Sequence, residues 1–370
     1  MTSYSRVFLG LVVGWLVLHV AVSLALDPYN VFGLPALFDR DGMHMQNDRY
    51  AKIEYLSRKG DAPKNYIFGS SRANYYNVED AAARLGGRWY NFTVSSETPM
   101  GVLLKLRWLR QHVGLQRAVI ALDFDIFTFR DPLWGTSYKD QIEHPDLTGQ
   151  SKVDFLANYL FLDWDSLRAM AQELQRPEKL YSSSLETGHY ALPHYDAQVR
   201  EGRYQFRSPL KCYEPMAENY QMTFPAQIEA FRQVVQYVRD EKIDAIFLIN
   251  PYSQHMAATL PADRFADWSA EMARMTDGVW FFAGFNPLTE SDADYYERSH
   301  FMRATGRKVL DILAGAPAPS PLIGFYRGAD GDELRRRVLE NFDKRRLACQ
   351  GGADADAARG ADFSVAATVR

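Results

Sequence analysis

Asn65-Tyr66-Ile67-Phe68-Gly69-Ser70-Ser71-Arg72-Ala73 is the stretch on which the fold turns. An apolar run ends at a glycine and two serines, and Ser71 through Leu85 can continue as a helix. The stretch therefore reads as a buried strand that turns sharply into a helix. Working outward, strands are expected over 66–68, 88–92 and 117–122, with helices over 78–85 and 99–113. The rhythm returns late: a helix over 225–241, a strand over 245–249, a helix over 261–275, a strand over 279–282, and a last helix opened by His300 and running towards Leu313. Short apolar strands alternating with longer helices predict an α/β fold, a parallel sheet with helices on both faces.

Ser71 then sits at the carboxyl end of a strand, where open α/β sheets bind ligands. A serine hydroxyl is a poor nucleophile until a base takes its proton and a third group holds that base in the right tautomer. Far along the chain, Tyr295-Tyr296-Glu297-Arg298-Ser299-His300-Phe301 places a carboxylate three residues before a histidine. Ser71, His300 and Glu297 are the right residue types for nucleophile, base and orienting acid. Asn250-Pro251-Tyr252 ends a strand at the same sheet edge, which makes Tyr252 and His255 candidates for lining the pocket. Taken singly, each feature has a plainer reading: Gly-Ser-Ser-Arg is also an N-capped turn, and a lone histidine often only packs.

As an ordered set the blocks carry more. Gly69-Ser70-Ser71 is followed by Tyr90-Asn91-Phe92-Thr93-Val94-Ser95-Ser96-Glu97-Thr98-Pro99, by a polar strand end at Asp123 to Asp125, and by Glu297-x-x-His300. This order resembles the SGNH (GDSL-type) hydrolase superfamily over residues 66–313. The resemblance implies a flavodoxin-like three-layer sandwich with a parallel sheet. It also implies Ser71 as nucleophile, His300 as base, Glu297 in place of the usual aspartate, and the Ser71 N–H as one oxyanion donor. Asn91, Ser96, Asp125 and Tyr252 become oxyanion or substrate candidates.

Three positions depart from the pattern. Ser70 replaces an aspartate, Ser96 stands where a glycine usually donates its N–H, and Asp125 falls where an asparagine would donate; an ionised Asp125 would repel an oxyanion. An N-terminal anchor with a Gly-Ser-Ser start resembles the exported branch of the superfamily, which includes envelope O-acyltransferase and D-alanyl-transfer proteins. The implied function is a membrane-anchored serine esterase or O-acyltransferase acting on an envelope polysaccharide or other glycan ester through an acyl-serine, with a membrane acyl-donor partner. The alternative is a catalytically inactive SGNH-like glycan-binding or scaffold protein, motivated by Asp125 and Ser96. No cofactor is implied.

The ends of the chain set its placement. Residues 7–26 are almost unbroken apolar sequence, interrupted only by small residues and His19, and match the ~20 residues needed to cross a bilayer. Arg6 precedes this run and Asp27, Asp39 and Asp41 follow it, so the positive-inside rule predicts a single-pass inner-membrane protein with its body in the periplasm or outside the cell. A cleaved signal peptide is the competing reading, although h-regions usually span only ~7–15 residues.

The expected organisation is an anchor over 1–26, a linker over 27–46, an SGNH-like domain over 47–315 with an insertion over 131–219 that could cap the site, and a charged helix with a disordered tail over 316–370. A net charge of -4 and a pI near 6.1 argue against a nucleic-acid partner. The 14% aromatic content suits a thick core or a carbohydrate-facing groove. Cys212 and Cys349 are too few for a disulfide framework and fit no zinc motif, a single bridge remaining open. His189 and His194 are not at metal-ligand spacing on a helix, so no metal is assigned.

Overall fold

The structure, a computed structural model, describes residues 3–34, 46–133, 138–176, 181–204 and 222–356, without the side chains of 349–356. Cys212, the Cys349 side chain, the last residues of the Tyr-, Ser- and Pro-rich insertion and the tail from 357 lie outside the described residues. The described residues form eight strands: β1 (Asn65–Phe68), β2 (Trp89–Asn91), β3 (Arg117–Leu122), β4 (Ser182–Ser183), β5 (Tyr190–Ala191), β6 (Asp244–Ile249), β7 (Gly278–Phe281) and β8 (Gly324–Arg327). The α-helices are α1 (Ser3–Leu26), α2 (Asp48–Arg58), α3 (Val78–Leu85), α4 (Pro99–His112), α5 (Pro145–Thr148), α6 (Lys152–Ala157), α7 (Trp164–Leu174), α8 (Pro193–Arg200), α9 (Pro225–Asp240), α10 (Gln254–Ala257), α11 (Ala262–Thr276), α12 (Arg303–Leu313) and α13 (Gly331–Asp356).

The main sheet runs in the order β2-β1-β3-β6-β7-β8, parallel except for the antiparallel last strand. Counting only the parallel strands, this is the doubly wound 2-1-3-4-5 order, whose crevice opens between β1 and β3. Side chains alternate across the pleat. Tyr66 and Phe68 of β1, with Ile120 and Leu122 of β3, join one core under α4, α9, α11 and α13. Ile67, Val119 and Ala121 join a second core under α3 and α12. Two cores on two faces make a three-layer α/β arrangement, as the strand–helix rhythm predicts.

Three local expectations change. Ser71 does not open a long helix: Ser71–Tyr75 is one 3₁₀ turn, and α3 starts afresh at Asn77, whose side chain caps the Glu79 and Asp80 N–H groups. His300 does not open the last helix either, because α12 begins at Arg303 and His300 lies in the preceding loop. The body also extends past 315. β8 pairs with β7, and Leu334, Val338 and Phe342 of α13 are core residues. The proline-rich spacer therefore leads back to the sheet.

Candidate active site

The turn after β1 is shaped by sequence. Gly69 has φ +146°, and a Cβ there would stand 2.9 Å from Ala73 Cβ and 3.0 Å from the Ala121 carbonyl oxygen. Only glycine fits this bend without displacing β3. Beyond it, Ser70 is buried and donates to Asp123 Oδ2 at 2.5 Å, leaving Ser71 part-exposed at the sheet edge.

His300 reaches Ser71 through a set of restraints on its loop. A bridge pairs Tyr295 with Phe301, and the Tyr296 N–H donates to the His300 carbonyl at 3.0 Å. α12 is clamped to α3 by Arg303 to Asp80 at 2.7 Å and Arg84 to Asp311 at 2.5 Å. Gly306 lets α12 lie against the 3₁₀ turn, since a Cβ would come within 2.4 Å of the Tyr75 carbonyl oxygen. The result is a Ser71 Oγ to His300 Nε2 distance of 2.7 Å. On the other ring face, His300 Nδ1 is hydrogen-bonded to Glu297 Oε1. With the carboxylate accepting from Nδ1–H, Nε2 is the acceptor for the serine hydroxyl.

Glu297 is held in turn by the Ser299 N–H at 2.9 Å. Burial pushes its carboxyl up, but the His300 hydrogen bond and charge, the Ser299 N–H and Arg72 outweigh this and hold it below its ordinary value. About half of the Glu297 side chain is exposed, 51%, so solvent screens this pair.

The polar floor beneath the serine is a network that sequence reasoning touched only at Asp123 to Asp125. Arg72, buried, grips Asp125 with two bonds of 2.9 and 3.1 Å, lies 3.4 Å from Asp123, donates Nε–H to the Ser299 carbonyl at 3.1 Å and stacks 5.0 Å over the Tyr252 ring. Burial disfavours its charge, yet Asp125 and Asp123 together raise its affinity for the proton. Asp123 also accepts from Asn250 Nδ2 at 2.9 Å; burial drives its carboxyl up, and Arg72 offsets this only in part. The Arg72 link to Ser299 ties the Ser71 turn to the histidine loop. Arg72, next to the serine in sequence, gave no motif signal; an arginine following a strand-end serine and matched by two later aspartates was the available clue.

The remaining candidates separate. Asp125 is committed to Arg72, so its charge is matched and it does not replace an asparagine donor. Asn91 is fully buried; its amide donates to the Ala73, Asn74 and Tyr76 carbonyls at 3.1–3.3 Å and its oxygen accepts from Thr93, so it staples the 3₁₀ turn. Tyr252 is likewise buried, accepting from the Phe124 N–H at 2.6 Å, and does not line a pocket with Ser71. His255 is buried against Asp292 at 2.9 Å. His189, half-buried, bonds the Asn74 carbonyl at 2.8 Å.

Ser96 keeps its role open. Its φ of +52° lies in the left-handed region that favours glycine, so the glycine-like backbone is present without glycine. The 92–94 backbone stays bonded to 67–69, with Phe92 N–H to the Ile67 carbonyl at 2.8 Å and Val94 N–H to the Gly69 carbonyl at 3.4 Å, so the Ser95–Ser96 turn flanks the Ser71 turn. Arg49 donates to the Ser95 carbonyl at 2.7 Å. In a trans peptide this directs the Ser96 N–H away from Arg49. Among the described residues, neither the Ser71 nor the Ser96 N–H meets a protein acceptor.

The insertion forms a wall beside the histidine. Tyr75 lies edge-on to His300 at 6.0 Å and to Tyr190 at 6.0 Å, with Tyr296 at 5.1 Å. Asn74 clasps the Tyr190 backbone in both directions, and Tyr296 donates to Asp196 at 2.5 Å. Among the described residues no cluster of three or more His, Cys, Asp or Glu side chains could hold a metal ion.

The chain matches no family model and no curated protein sequence.

Proposed function

We propose that the protein is a divergent SGNH-type serine esterase or O-acyltransferase acting on a cell-envelope glycan ester. The observation that carries this reading is the relay Ser71 Oγ to His300 Nε2 at 2.7 Å, continued from Nδ1 to Glu297. Ser71 Oγ attacks the acyl carbonyl while His300 takes its proton. Glu297 holds the ring and stabilises its charge, and the Ser71 and Ser96 N–H groups receive the oxyanion. His300 then returns the proton to the departing alcohol, leaving an acyl-serine. Water or a sugar hydroxyl attacks that ester, giving hydrolysis or transfer.

The tyrosine wall supports a sugar beside the serine, since such rings offer apolar faces with polar edges. A catalytically inactive scaffold draws support from Asp125, but the Arg72 pair leaves that carboxylate without uncompensated charge. Among the described residues one helix, Ser3–Leu26, is long and apolar enough to cross a membrane, which supports an anchor; the charges flanking it favour a body in the periplasm, and the proposal adds a membrane partner that supplies the acyl donor. Against cleavage stands the packing of its end: Ser23 is buried, and Tyr29 and Val31 share a core with Phe155, Tyr159 and Leu162.

The full chain in detergent is expected to react with a fluorophosphonate probe, and Ser71→Ala to lose the label. Absence of labelling in the folded wild-type protein overturns the enzyme reading. Acetylated sugars offered with and without an acceptor glycan then separate hydrolysis from transfer.

A further inference from the structure

His19 is the one ionisable side chain within the apolar run of α1. It is not idle. Its Nε2 lies 3.1 Å from the Leu162 carbonyl, and one turn later Ser23 Oγ accepts from the Leu162 N–H at 3.3 Å. Both backbone groups of Leu162 are thus satisfied by polar side chains on one face of the apolar helix. The carbonyl of the 161–162 peptide, whose N–H meets Ser23, is satisfied as well, since Lys139 Nζ donates to it at 2.5 Å. His19 and Phe161 rings stack at 5.5 Å, with Trp15 one turn further along α1.

Helix length fixes how deep this contact lies if α1 spans the membrane. Hydrocarbon about 30 Å thick needs about 20 helical residues, the whole of residues 7–26. Residues 3–18 alone would reach only about 24 Å at about 1.5 Å per residue. His19 lies about 10 Å inside the Leu26 end of the helix. The level of Leu162 is therefore below the hydrocarbon surface. Irregular backbone survives at that depth only where its N–H and C=O groups find partners, which is the arrangement His19, Ser23 and Lys139 provide. The outward side is correspondingly apolar: Phe161 is 46% and Trp164 80% exposed, while Tyr159 and Leu162 pack inward with Phe155.

We infer that the α6–α7 connection, Leu160 to Trp164, is a second membrane element, a wedge inserted into the outer part of the bilayer alongside α1. Its partner is the lipid acyl chain, with Trp164 at the headgroup boundary where indole rings settle and Asp163 facing the water edge, the Lys139 ammonium reaching from that edge to both Asp163 at 3.7 Å and the Phe161 carbonyl. The wedge is rigidly joined to the body. Tyr50 stacks on Phe155 at 4.9 Å, and Asn47 donates to Tyr159 Oη at 2.8 Å. Both residues belong to the start of α2, which also carries Arg49 to the Ser95–Ser96 turn. A single helix would leave the body free to swing, whereas two contacts fix the face it turns to the membrane.

The inference rests on α1 spanning the membrane, and the test separates the two. Full-length protein with Cys212→Ser and Cys349→Ser is labelled with an environment-sensitive fluorophore at one introduced cysteine: Phe161→Cys, Trp164→Cys, Val12→Cys in mid-helix, or Asp332→Cys beside β8 at the far edge of the sheet. Each is placed in phosphatidylethanolamine/phosphatidylglycerol vesicles containing lipid with a nitroxide on the acyl chain. The expected result is quenching at 161 comparable to that at 12, weaker quenching at 164, and none at 332. Quenching at 12 with both 161 and 164 behaving like 332 overturns the wedge and leaves the anchor standing. No quenching at 12 overturns the spanning helix and the wedge with it.

Discussion

Two clusters in this molecule pair carboxylates with cations or cation-forming groups, and they are put to opposite uses. At the sheet edge, Glu297 stands half in solvent and His300 is part-exposed, with Ser71 as the third member. Behind the Ser95–Ser96 turn, Arg49, Lys105, Glu97 and Glu143 are buried, with Arg49 and Lys105 each paired to Glu97 and Arg49 also paired to Glu143. In the buried cluster, desolvation is offset only if every charge is spent on another. In the exposed relay one partner is a neutral hydroxyl, whose proton passes to His300 on the proposed reading. Burial, more than residue type, divides the scaffold from the reagent.

The largest effect should come from cutting the exposed relay. His300→Ala is expected to lower the acyl-transfer or ester-hydrolysis rate by at least about 10³-fold with folding unchanged, because a triad acts as a unit. A loss below tenfold, with the thermal transition intact, would mean the relay is not the chemistry. The buried cluster should respond in the opposite currency. Lys105→Met leaves Glu97 and Glu143 sharing one arginine, and breaking such a pair costs about 3–5 kcal/mol. A thermal transition lower by roughly 5 °C is expected. An unshifted transition would show that the cluster is not under the constraint its burial implies.

The buried side also has a pH signature. Lys52, beside this cluster, donates to the Thr93 carbonyl at 2.6 Å and the Asn91 carbonyl at 3.3 Å. Burial, together with Lys105, lowers its pKa to about 8 from 10.5, although Asp48 and Glu97 oppose the shift. Between those values the unfolded chain holds more protons than the folded one. Stability should therefore rise with pH from about 8, by at most about 1.4 kcal/mol per unit. Lys52→Met should flatten this rise between about pH 8 and 9.5 when unfolding is followed at several pH values. An identical slope in both proteins would place the titration elsewhere.

The two regions were not equally legible in the sequence. Ser71, His300 and Glu297 carry residue types and local spacing that chemistry requires, and the strand–helix rhythm placed β1, β2, β3, β6 and β7. The Arg49–Glu97–Lys105–Glu143 cluster is assembled from four separate segments, and nothing in the local pattern marks a charge that will be buried. Asn91 is a candidate through the motif block that carries the resemblance and Tyr252 because it ends a strand at the sheet edge, yet both positions are also where the backbone needs side-chain partners. β8 was hidden for a different reason: Gly324-Phe325-Tyr326-Arg327 is short and follows prolines, so it signals a strand only through its pairing with β7.

The smallest effect expected lies inside the exposed relay and tests how far exposure weakens its acid. A buried triad aspartate can be worth about 10⁴ in rate, but a half-exposed glutamate makes a screened bond of about 1–2 kcal/mol. Glu297→Gln should cost about tenfold in rate at neutral pH and less than about 1 kcal/mol in stability. The folded-state pKa of Glu297 is depressed by His300 and Ser299, once burial is overcome. Its contribution is thus complete above the ordinary glutamate value of about 4.3 and is lost as pH falls through the lower folded value. Protonated Glu297 resembles glutamine, so the rate ratio of wild type to Glu297→Gln should approach one below that point. A ratio that stays constant through acid pH would show that the carboxylate charge does not orient His300, leaving geometry alone to hold the ring.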